Sequence, residues 1–171
     1  MEVIIEKLRR VPDFPKKGIL FYDLTPILQD PIMFGTLIDA LVEPFKRKKV
    51  EVVCSMESRG FIFGAAVAND LGAGFVPVRK PGKLPWKTLK QEYDLEYGKD
   101  ALEVHKDAVK PGQKVLVLDD VLATGGTALA TVQLLRELKA DIVGASFVAE
   151  IGALKGRKRL EGVDVRCLIS L

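Results

Sequence analysis

The stretch that decides the fold is residues 114–138, KVLVLDDVLATGGTALATVQLLREL. Its apolar, β-branched start, residues 115–118, predicts a buried parallel strand that ends before Asp119 and Asp120. A loop of small residues follows at 123–127, and apolar residues then recur at helical spacing as far as Leu138. The stretch therefore predicts a strand, an acidic pair, a glycine loop and a helix in direct succession.

The glycine loop has the features of an anion site. Gly125 and Gly126 let the backbone turn so that successive N–H groups point into one hollow. The start of the following helix adds free N–H groups and a favourable dipole, and the hydroxyls of Thr124 and Thr127 can donate as well. This combination suits a phosphate monoester.

The acidic pair points to the rest of the ligand. Asp119 and Asp120 would repel a phosphate placed on them, but they suit sugar hydroxyls or a metal ion. A ribose 5-phosphate fits both halves. No Walker loop and no G-x-G-x-x-G fingerprint is present. A phosphorylated Asp119 would leave the paired glycines unexplained, and an ordinary strand, turn and helix remains the plain alternative.

Composition predicts one cytoplasmic domain spanning residues 1–171. Hydrophobic residues make up 48% and charged residues 29%, and no apolar run is long enough to span a membrane. The two distant cysteines, Cys54 and Cys167, are typical of reduced core residues, and His105 alone cannot build a histidine-rich metal site. The net charge of +3 is too small to indicate a nucleic-acid partner, and no membrane partner is expected.

The order of the predicted elements indicates an α/β fold with a mostly parallel central sheet flanked by helices. Helices are expected at 2–11, 31–45, 61–71 and 127–138, a short basic helix at 152–160, and strands at 51–56, 74–78, 115–118, 142–148 and 163–171. Two segments interrupt this alternation. Residues 12–28 are apolar but broken by prolines, as expected either of a segment over a cleft or of an N-terminal arm packed on the core, and residues 79–98 form a basic loop and hairpin typical of a lid or a binding loop.

In such a sheet, ligands bind at the carboxyl ends of the strands. One strand end delivers the turn 57–60 with Arg59, and another delivers Arg79, Lys80 and Lys83. Arginine suits phosphate because its donors are planar and forked. Two basic strand ends beside one phosphate loop imply a ligand with more than one phosphate group.

Several blocks of the sequence resemble one enzyme family. VLVLDDVLATGGTA is similar to the phosphoribosyl-pyrophosphate motif of the type I phosphoribosyltransferases. The blocks FPKKGILFYDLTPIL, ESRGFIFG, VRKPGKLPW, LEYGKDALEVHKDAV and LKGRKRL resemble, in that order, the adenine-specific branch along nearly the whole chain. The resemblance implies transfer of a phosphoribosyl group from phosphoribosyl pyrophosphate to adenine, giving AMP and pyrophosphate in purine salvage. It also implies Mg2+ as cofactor and a homodimer.

The resemblance also implies a role for each candidate residue. Asp119 and Asp120 face the ribose hydroxyls, and the 5-phosphate is held by the loop residues Ala123, Thr124, Gly125, Gly126 and Thr127. Pyrophosphate is served by four cations, some of which reach across a dimer interface in this family: Arg59, Arg79, Lys80 and Lys83. Leu20 and Phe21 match the base-binding hood. Glu96 matches the lid carboxylate that handles the purine proton, and no metal ligand is assigned.

The sequence departs from the family pattern in the hood. Members commonly carry Arg after the hood phenylalanine, whereas this chain has Phe21 followed by Tyr22, so the base-side contacts stay open. From the residues alone, Glu92 is a rival to Glu96 for the proton. A phosphoribosyltransferase for another purine is the alternative enzyme. A regulatory or RNA-binding relative that binds phosphoribosyl pyrophosphate is the alternative outside catalysis.

Overall fold

The structure, a computed structural model, describes residues 2–94 and 98–171. The chain divides into two compact units, Met1–Ala40 and Leu41–Leu171. The predicted hood, residues 12–28, lies within the smaller unit. The predicted lid, the glycine loop and the basic strand ends all lie within the larger unit.

The smaller unit is more regular than its prolines suggest. It contains α1 (Glu2–Lys7), β1 (Arg9–Pro12), β2 (Leu20–Asp23), α2 (Thr25–Gln29) and the start of α3 (Pro31–Val42). The prediction of one helix over 2–11 is wrong beyond Lys7, because β1 pairs antiparallel with β2 and sets Val11 opposite Phe21. The helix start at Asp30 is confirmed, since its carboxylate accepts the N–H groups of Ile32 and Met33 at 3.0 and 3.1 Å.

The larger unit confirms the α/β prediction. In chain order it continues with β3 (Val52–Met56), α4 (Gly60–Leu71), β4 (Gly74–Val78), β5 (Thr88–Asp94), β6 (Lys99–His105), β7 (Lys114–Leu122), α5 (Gly126–Glu137), β8 (Asp141–Glu150) and β9 (Val165–Ser170). Five strands form one sheet in the order β4-β3-β7-β8-β9, and every neighbouring pair in it is parallel. The antiparallel pair β5–β6 forms a hairpin whose second strand lies beyond residues 79–98, the range predicted for the basic loop and hairpin.

Strand β7 lies in the middle of the sheet because its apolar run can be buried on both faces. Residues 115–118 are all fully buried, and Val117 is paired with Cys54 of β3 on one side and Ala145 of β8 on the other. Helix α4 contacts β3, β4 and β7, and helix α5 contacts β7, β8 and the β5–β6 hairpin. Beyond Leu118, the carboxyl end of β7 pairs with β8 alone.

The acidic pair lies inside β7 rather than after it. The ladder with β8 continues beyond Leu118, setting Asp119 opposite Phe147 and Val121 opposite Ala149. This pairing satisfies backbone hydrogen-bonding groups of β7 beyond Leu118, the residue at which the strand is predicted to end. The two carboxylates are thus fixed by a regular strand and not by a loop.

The basic segment after β8 also differs from its prediction. A helix over 152–160 is wrong, because the segment forms two 3₁₀ turns, Gly152–Leu154 and Gly156–Arg159. Lys155 separates them with a left-handed backbone, φ 53°, which a continuous helix does not allow. The chain consequently turns back toward the glycine loop.

Burial and helix length agree with the composition. Cys54 is fully buried, and loss of hydration raises the pKa of its thiol to about 12; Cys167 is half-buried, and the two thiols are free. Among the helices of the described ranges, none is long and apolar enough to cross a membrane.

Replacing Phe63 tests how α4 packs against the sheet. Its side chain is fully buried, so Phe63→Ala should lower the free energy of unfolding by about 3–5 kcal/mol. Ile62, its neighbour on α4, is 42% exposed, so the matched control Ile62→Ala should cost less than about 1 kcal/mol. Urea unfolding followed by circular dichroism measures both, and equal losses would contradict this packing.

Candidate active site

The glycine loop forms a small cleft at the carboxyl end of β7. The cleft has a volume of about 70 Å³ and is lined by Asp119 and residues 121–128, which include all five predicted loop residues. Gly125 is the N-cap of α5 and has a left-handed backbone with φ 81°, which glycine adopts without strain. The first N–H groups of α5 are therefore presented in the cleft that Asp119 lines, and free N–H groups at a helix start are what an anion site requires.

Asp119 and Asp120 share one side of this site with Arg59. The N–H of Asp120 donates to Oδ1 of Asp119 at 2.9 Å. Nε of Arg59 lies 2.5 Å from Oδ2 of Asp120, an oxygen that is buried and forms no well-aligned hydrogen bond with the described residues. The structure thus joins the predicted sugar site to one of the four predicted pyrophosphate cations.

Asp119 is the most perturbed acid of the site. Loss of hydration, followed by the negative charge of Asp120, raises its pKa well above the usual value, although the N–H of Asp120 and the charge of Arg59 act in the opposite direction. An ionised Asp119 is therefore costly in the free protein. Hydroxyl donors or a cation from a ligand would relieve this cost.

The other predicted cations also lie against acids. Arg79 donates through Nε to Oε2 of Glu57 at 2.8 Å, and the ammonium of Lys83 lies 3.8 Å from Oε1 of the same carboxylate. Partial burial would raise the pKa of Glu57, but the Lys80 N–H, Arg79 and Lys83 hold it below its usual value. Glu57 therefore stays ionised between its two cationic neighbours.

Lys80 turns instead toward the hairpin. Its ammonium group forms an ion pair with Asp100 of β6, and it lies 5.9 Å from the centre of the Tyr93 ring on β5. The Tyr93 hydroxyl donates to the same Asp100 carboxylate at 3.1 Å. Each of the four predicted pyrophosphate cations is thus paired with a carboxylate.

The remaining predicted residues lie elsewhere. Leu20 and Phe21 lie on β2 in the smaller unit, where the Phe21 ring meets Phe14 edge to face at 5.1 Å. Glu96 lies outside the described residues. Its rival Glu92 is exposed on β5, 3.2 Å from the ammonium of Lys90.

Three residues outside the predicted set also shape the site. Glu57 and Asp100 hold predicted cations, and Gly60 lets α4 approach the acidic pair, because a Cβ there would lie 2.5 Å from Oδ1 of Asp119. An acid and a glycine flanking Arg59 in ESRG were visible signals for Glu57 and Gly60. Asp100 had no local signal, since the backbone pairing of Arg79 with Glu103 brings β6 to Lys80.

The acids present could assist a metal ion but not enclose one. Within residues 2–94 and 98–171, no group of three or more acidic, histidine or cysteine side chains has metal-binding geometry. Magnesium commonly uses one or two carboxylates together with substrate phosphates and water. The donor set of Asp119 and Asp120 fits that mode.

Comparison with protein families finds a match over most of the chain. The model described as a phosphoribosyl transferase domain matches residues 27–170. An adenine phosphoribosyltransferase of Acidobacterium capsulatum is 55% identical over 162 residues, covering 95% of this chain and 90% of that protein. An adenine phosphoribosyltransferase of Francisella philomiragia is 54% identical over 171 residues and covers 99% and 98%.

Solved structures agree with this likeness. The adenine phosphoribosyltransferase of Thermoanaerobacter pseudethanolicus superposes with a TM-score of 0.97 at 49% identity, over 99% of both chains. The Saccharomyces cerevisiae adenine phosphoribosyltransferase, solved with an imino-altritol bisphosphate and adenine, gives 0.93 at 43% identity, over 98% of this chain and 97% of that one.

Asp119→Asn should make the free protein more stable at neutral pH. Because folding raises the Asp119 pKa, the protonated carboxyl contributes its full stability below the unfolded-state pKa, and this stability is lost as the pH rises from there through the raised value. An amide cannot ionise, so the gain in melting temperature should be largest at neutral pH and vanish near pH 4, about the usual aspartate pKa.

Thermal unfolding from pH 4 to pH 8 measures this gain. Asp141→Asn, which alters an exposed acid at the start of β8, is the matched control and should show no gap that grows with pH. A lower melting temperature for Asp119→Asn at pH 7 would contradict the expected effect.

Proposed function

The chain belongs to the adenine phosphoribosyltransferase family, and from that premise we propose that it transfers a 5-phosphoribosyl group from phosphoribosyl pyrophosphate to adenine, giving AMP and pyrophosphate. It is an enzyme of purine salvage. The observation that carries the assignment to this site is the cleft in which Asp119 adjoins the glycine loop. That cleft presents hydroxyl acceptors and phosphate donors side by side, as a ribose 5-phosphate requires.

The loop would bind the 5-phosphate. Backbone N–H groups from residues 123–127, the start of α5, and the hydroxyls of Thr124 and Thr127 supply donors without a charged side chain. Asp119 and Asp120 would accept hydrogen bonds from the ribose hydroxyls. The sugar is then fixed at both ends, which orients its anomeric carbon for reaction.

The reaction breaks the bond between the anomeric carbon and pyrophosphate and forms a bond to a ring nitrogen of adenine. Positive charge develops on the ribose ring and negative charge on the departing pyrophosphate. The Asp119 and Asp120 carboxylates favour the first, and the cations Arg59, Arg79, Lys80 and Lys83 favour the second. Each of these cations now pairs with a carboxylate. Pyrophosphate must therefore either displace that carboxylate or bind the cation beside it.

Adenine would bind against the hood residues Leu20 and Phe21, where an aromatic ring can stack on the purine. The proton that leaves the purine nitrogen needs an acceptor, and we assign this role to Glu96 on the β5–β6 lid. Closure of the lid would exclude water, which would otherwise react with the cationic sugar.

Magnesium is the expected cofactor. When bound, Mg2+ neutralises charge on the pyrophosphate and so supports its departure. Asp119 and Asp120 are the residues that would hold it, together with ligand oxygens. The same likeness suggests a cytoplasmic homodimer.

A panel of bases tests the proposed function. Purified protein with phosphoribosyl pyrophosphate and Mg2+ should form AMP from adenine, and kcat/KM for hypoxanthine and guanine should be at least about 100-fold lower, because a site built around particular hydrogen bonds rejects bases that cannot form them. Chromatography of the nucleotide products measures this ratio.

The double variant Asp119→Asn with Asp120→Asn is the control for a contaminating enzyme, and its activity should fall to background while the protein stays folded. Hypoxanthine used as well as adenine would overturn the adenine assignment. Salt-dependent RNA binding without turnover of any base would support a regulatory relative instead.

A further inference from the structure

Glu57 lies directly after β3, at the carboxyl edge of the sheet, and its side chain is only 8% exposed. Its Oε2 accepts Nε–H of Arg79 at 2.8 Å, and its Oε1 accepts the backbone N–H of Lys80 at 2.9 Å. The ammonium of Lys83 adds a longer ion pair at 3.8 Å. One sheltered carboxylate therefore contacts Arg79, Lys80 and Lys83, the three cationic residues of the basic strand end.

Arg79 is held at several other points. Its backbone pairs with Glu103 of β6 in both directions, at 2.9 and 2.7 Å, and its Nη1 donates to the carbonyl of Lys83 at 3.3 Å. Its Nη2 makes no hydrogen bond to the described part of the chain, and the side chain is 34% exposed. Arg79, Lys83 and Glu57 together carry a net charge of +1.

We propose that Glu57 is a positioning residue for pyrophosphate, which fixes Arg79 through Nε and leaves Nη2 and the Lys83 ammonium to bind the anion. This inference rests on the function proposed above. Glu57 is not a counter-ion that pyrophosphate displaces, because its sheltered carboxylate is held at once by Nε of Arg79, the Lys80 N–H and the Lys83 ammonium.

Glu57→Gln tests the proposal. The amide oxygen can still accept the Lys80 N–H, but the amide nitrogen would face Nε of Arg79, so two donors would meet and Arg79 would lose its anchor. The dissociation constant of pyrophosphate with Mg2+, and KM for phosphoribosyl pyrophosphate, should rise on the order of tenfold, as when a hydrogen bond between charged groups is lost. KM for adenine should stay within about twofold.

Two further variants separate positioning from general effects. Glu43→Gln removes an exposed carboxylate that pairs with Lys46 at 2.6 Å, and it should leave pyrophosphate binding unchanged. Arg79→Lys keeps the charge but loses the forked donors, so it should weaken pyrophosphate binding by itself. In that background Glu57→Gln should cause little further loss, because Glu57 acts through Arg79.

Unchanged or tighter pyrophosphate binding by Glu57→Gln would overturn the proposal, and so would full additivity with Arg79→Lys. Failure of the proposed function looks different, since wild-type protein would then bind pyrophosphate in calorimetry yet form no nucleotide with any base. Wild-type protein that binds no pyrophosphate would overturn both.

A separate contact concerns the segment after β8. A Cβ at Gly156 would collide with the carbonyl oxygen of Ala123 and lie 2.9 Å from the backbone nitrogen of Gly125. In the opposite direction, a Cβ at Gly125 would lie 2.5 Å from the carbonyl oxygen of Gly156. The two backbones are thus packed against each other with no side chain between them.

From this contact we infer that the backbone of Gly156 fixes the position of the glycine loop, and this inference also rests on the proposed function. Gly156→Ala should weaken AMP binding on the order of tenfold by displacing the loop backbone. Gly152→Ala is the matched control from the same segment, because its Cβ would have no neighbour nearer than 3.6 Å. Calorimetry with AMP and thermal unfolding measure both variants.

Weaker AMP binding by Gly156→Ala with little change in KM for adenine would support the inference. A lower melting temperature with unchanged AMP affinity would overturn it, since the contact would then serve stability alone. Equal loss of AMP affinity in Gly152→Ala would also overturn it.

Discussion

The site depends on two adjacent carboxylates that are held, poorly hydrated, inside a central parallel strand. Asp119 and Asp120 cannot move apart, because pairing between β7 and β8 continues past them. Their mutual repulsion and loss of hydration are offset by the Asp120 N–H, by Arg59 and, in the proposed function, by hydroxyls of the ligand. The acidic pair thus lowers the free energy of unfolding and in return places hydrogen-bond acceptors where a sugar can bind, a trade-off that is common at functional sites.

Each cation near this pair also lies against a carboxylate. Arg59 lies against Asp120, Arg79 and Lys83 against Glu57, and Lys80 against Asp100. Cations gathered to bind pyrophosphate would repel one another in the free protein, and neighbouring carboxylates reduce this repulsion. The arrangement also orients donors in advance, so that less conformational entropy is lost when an anion binds.

Close backbone approach is the second constraint on the site. Because Gly60 has no side chain, the start of α4 can lie against Asp119. Gly125 and Gly156 likewise let the glycine loop pack against the segment after β8. A side chain at any of these positions would separate elements that the ligand needs together. Backbone N–H groups can then serve a phosphate at a spacing that bulkier residues would prevent.

The sequence by itself determined the α/β fold and the helix starting at the glycine loop, because each has a local signal. Apolar runs predict buried strands, paired glycines predict a tight turn, and Pro/Gly punctuation predicts a loop. Local signals failed where partners decided the outcome. Strand pairing made Val11 part of β1, and pairing with β8 carried β7 past Asp119.

Only the tertiary structure decided which acid meets which cation. Glu57 and Arg79 are 22 residues apart, and Lys80 and Asp100 are 20 apart, so no sequence period relates them. Parallel strand order brings the first pair to one sheet edge, and the backbone pairing of Arg79 with Glu103 of β6 brings the second together. The Gly156 contact likewise depends on how the chain returns after β8. Sequence patterns encode local geometry and burial, whereas distances between charges are set by how the elements pack.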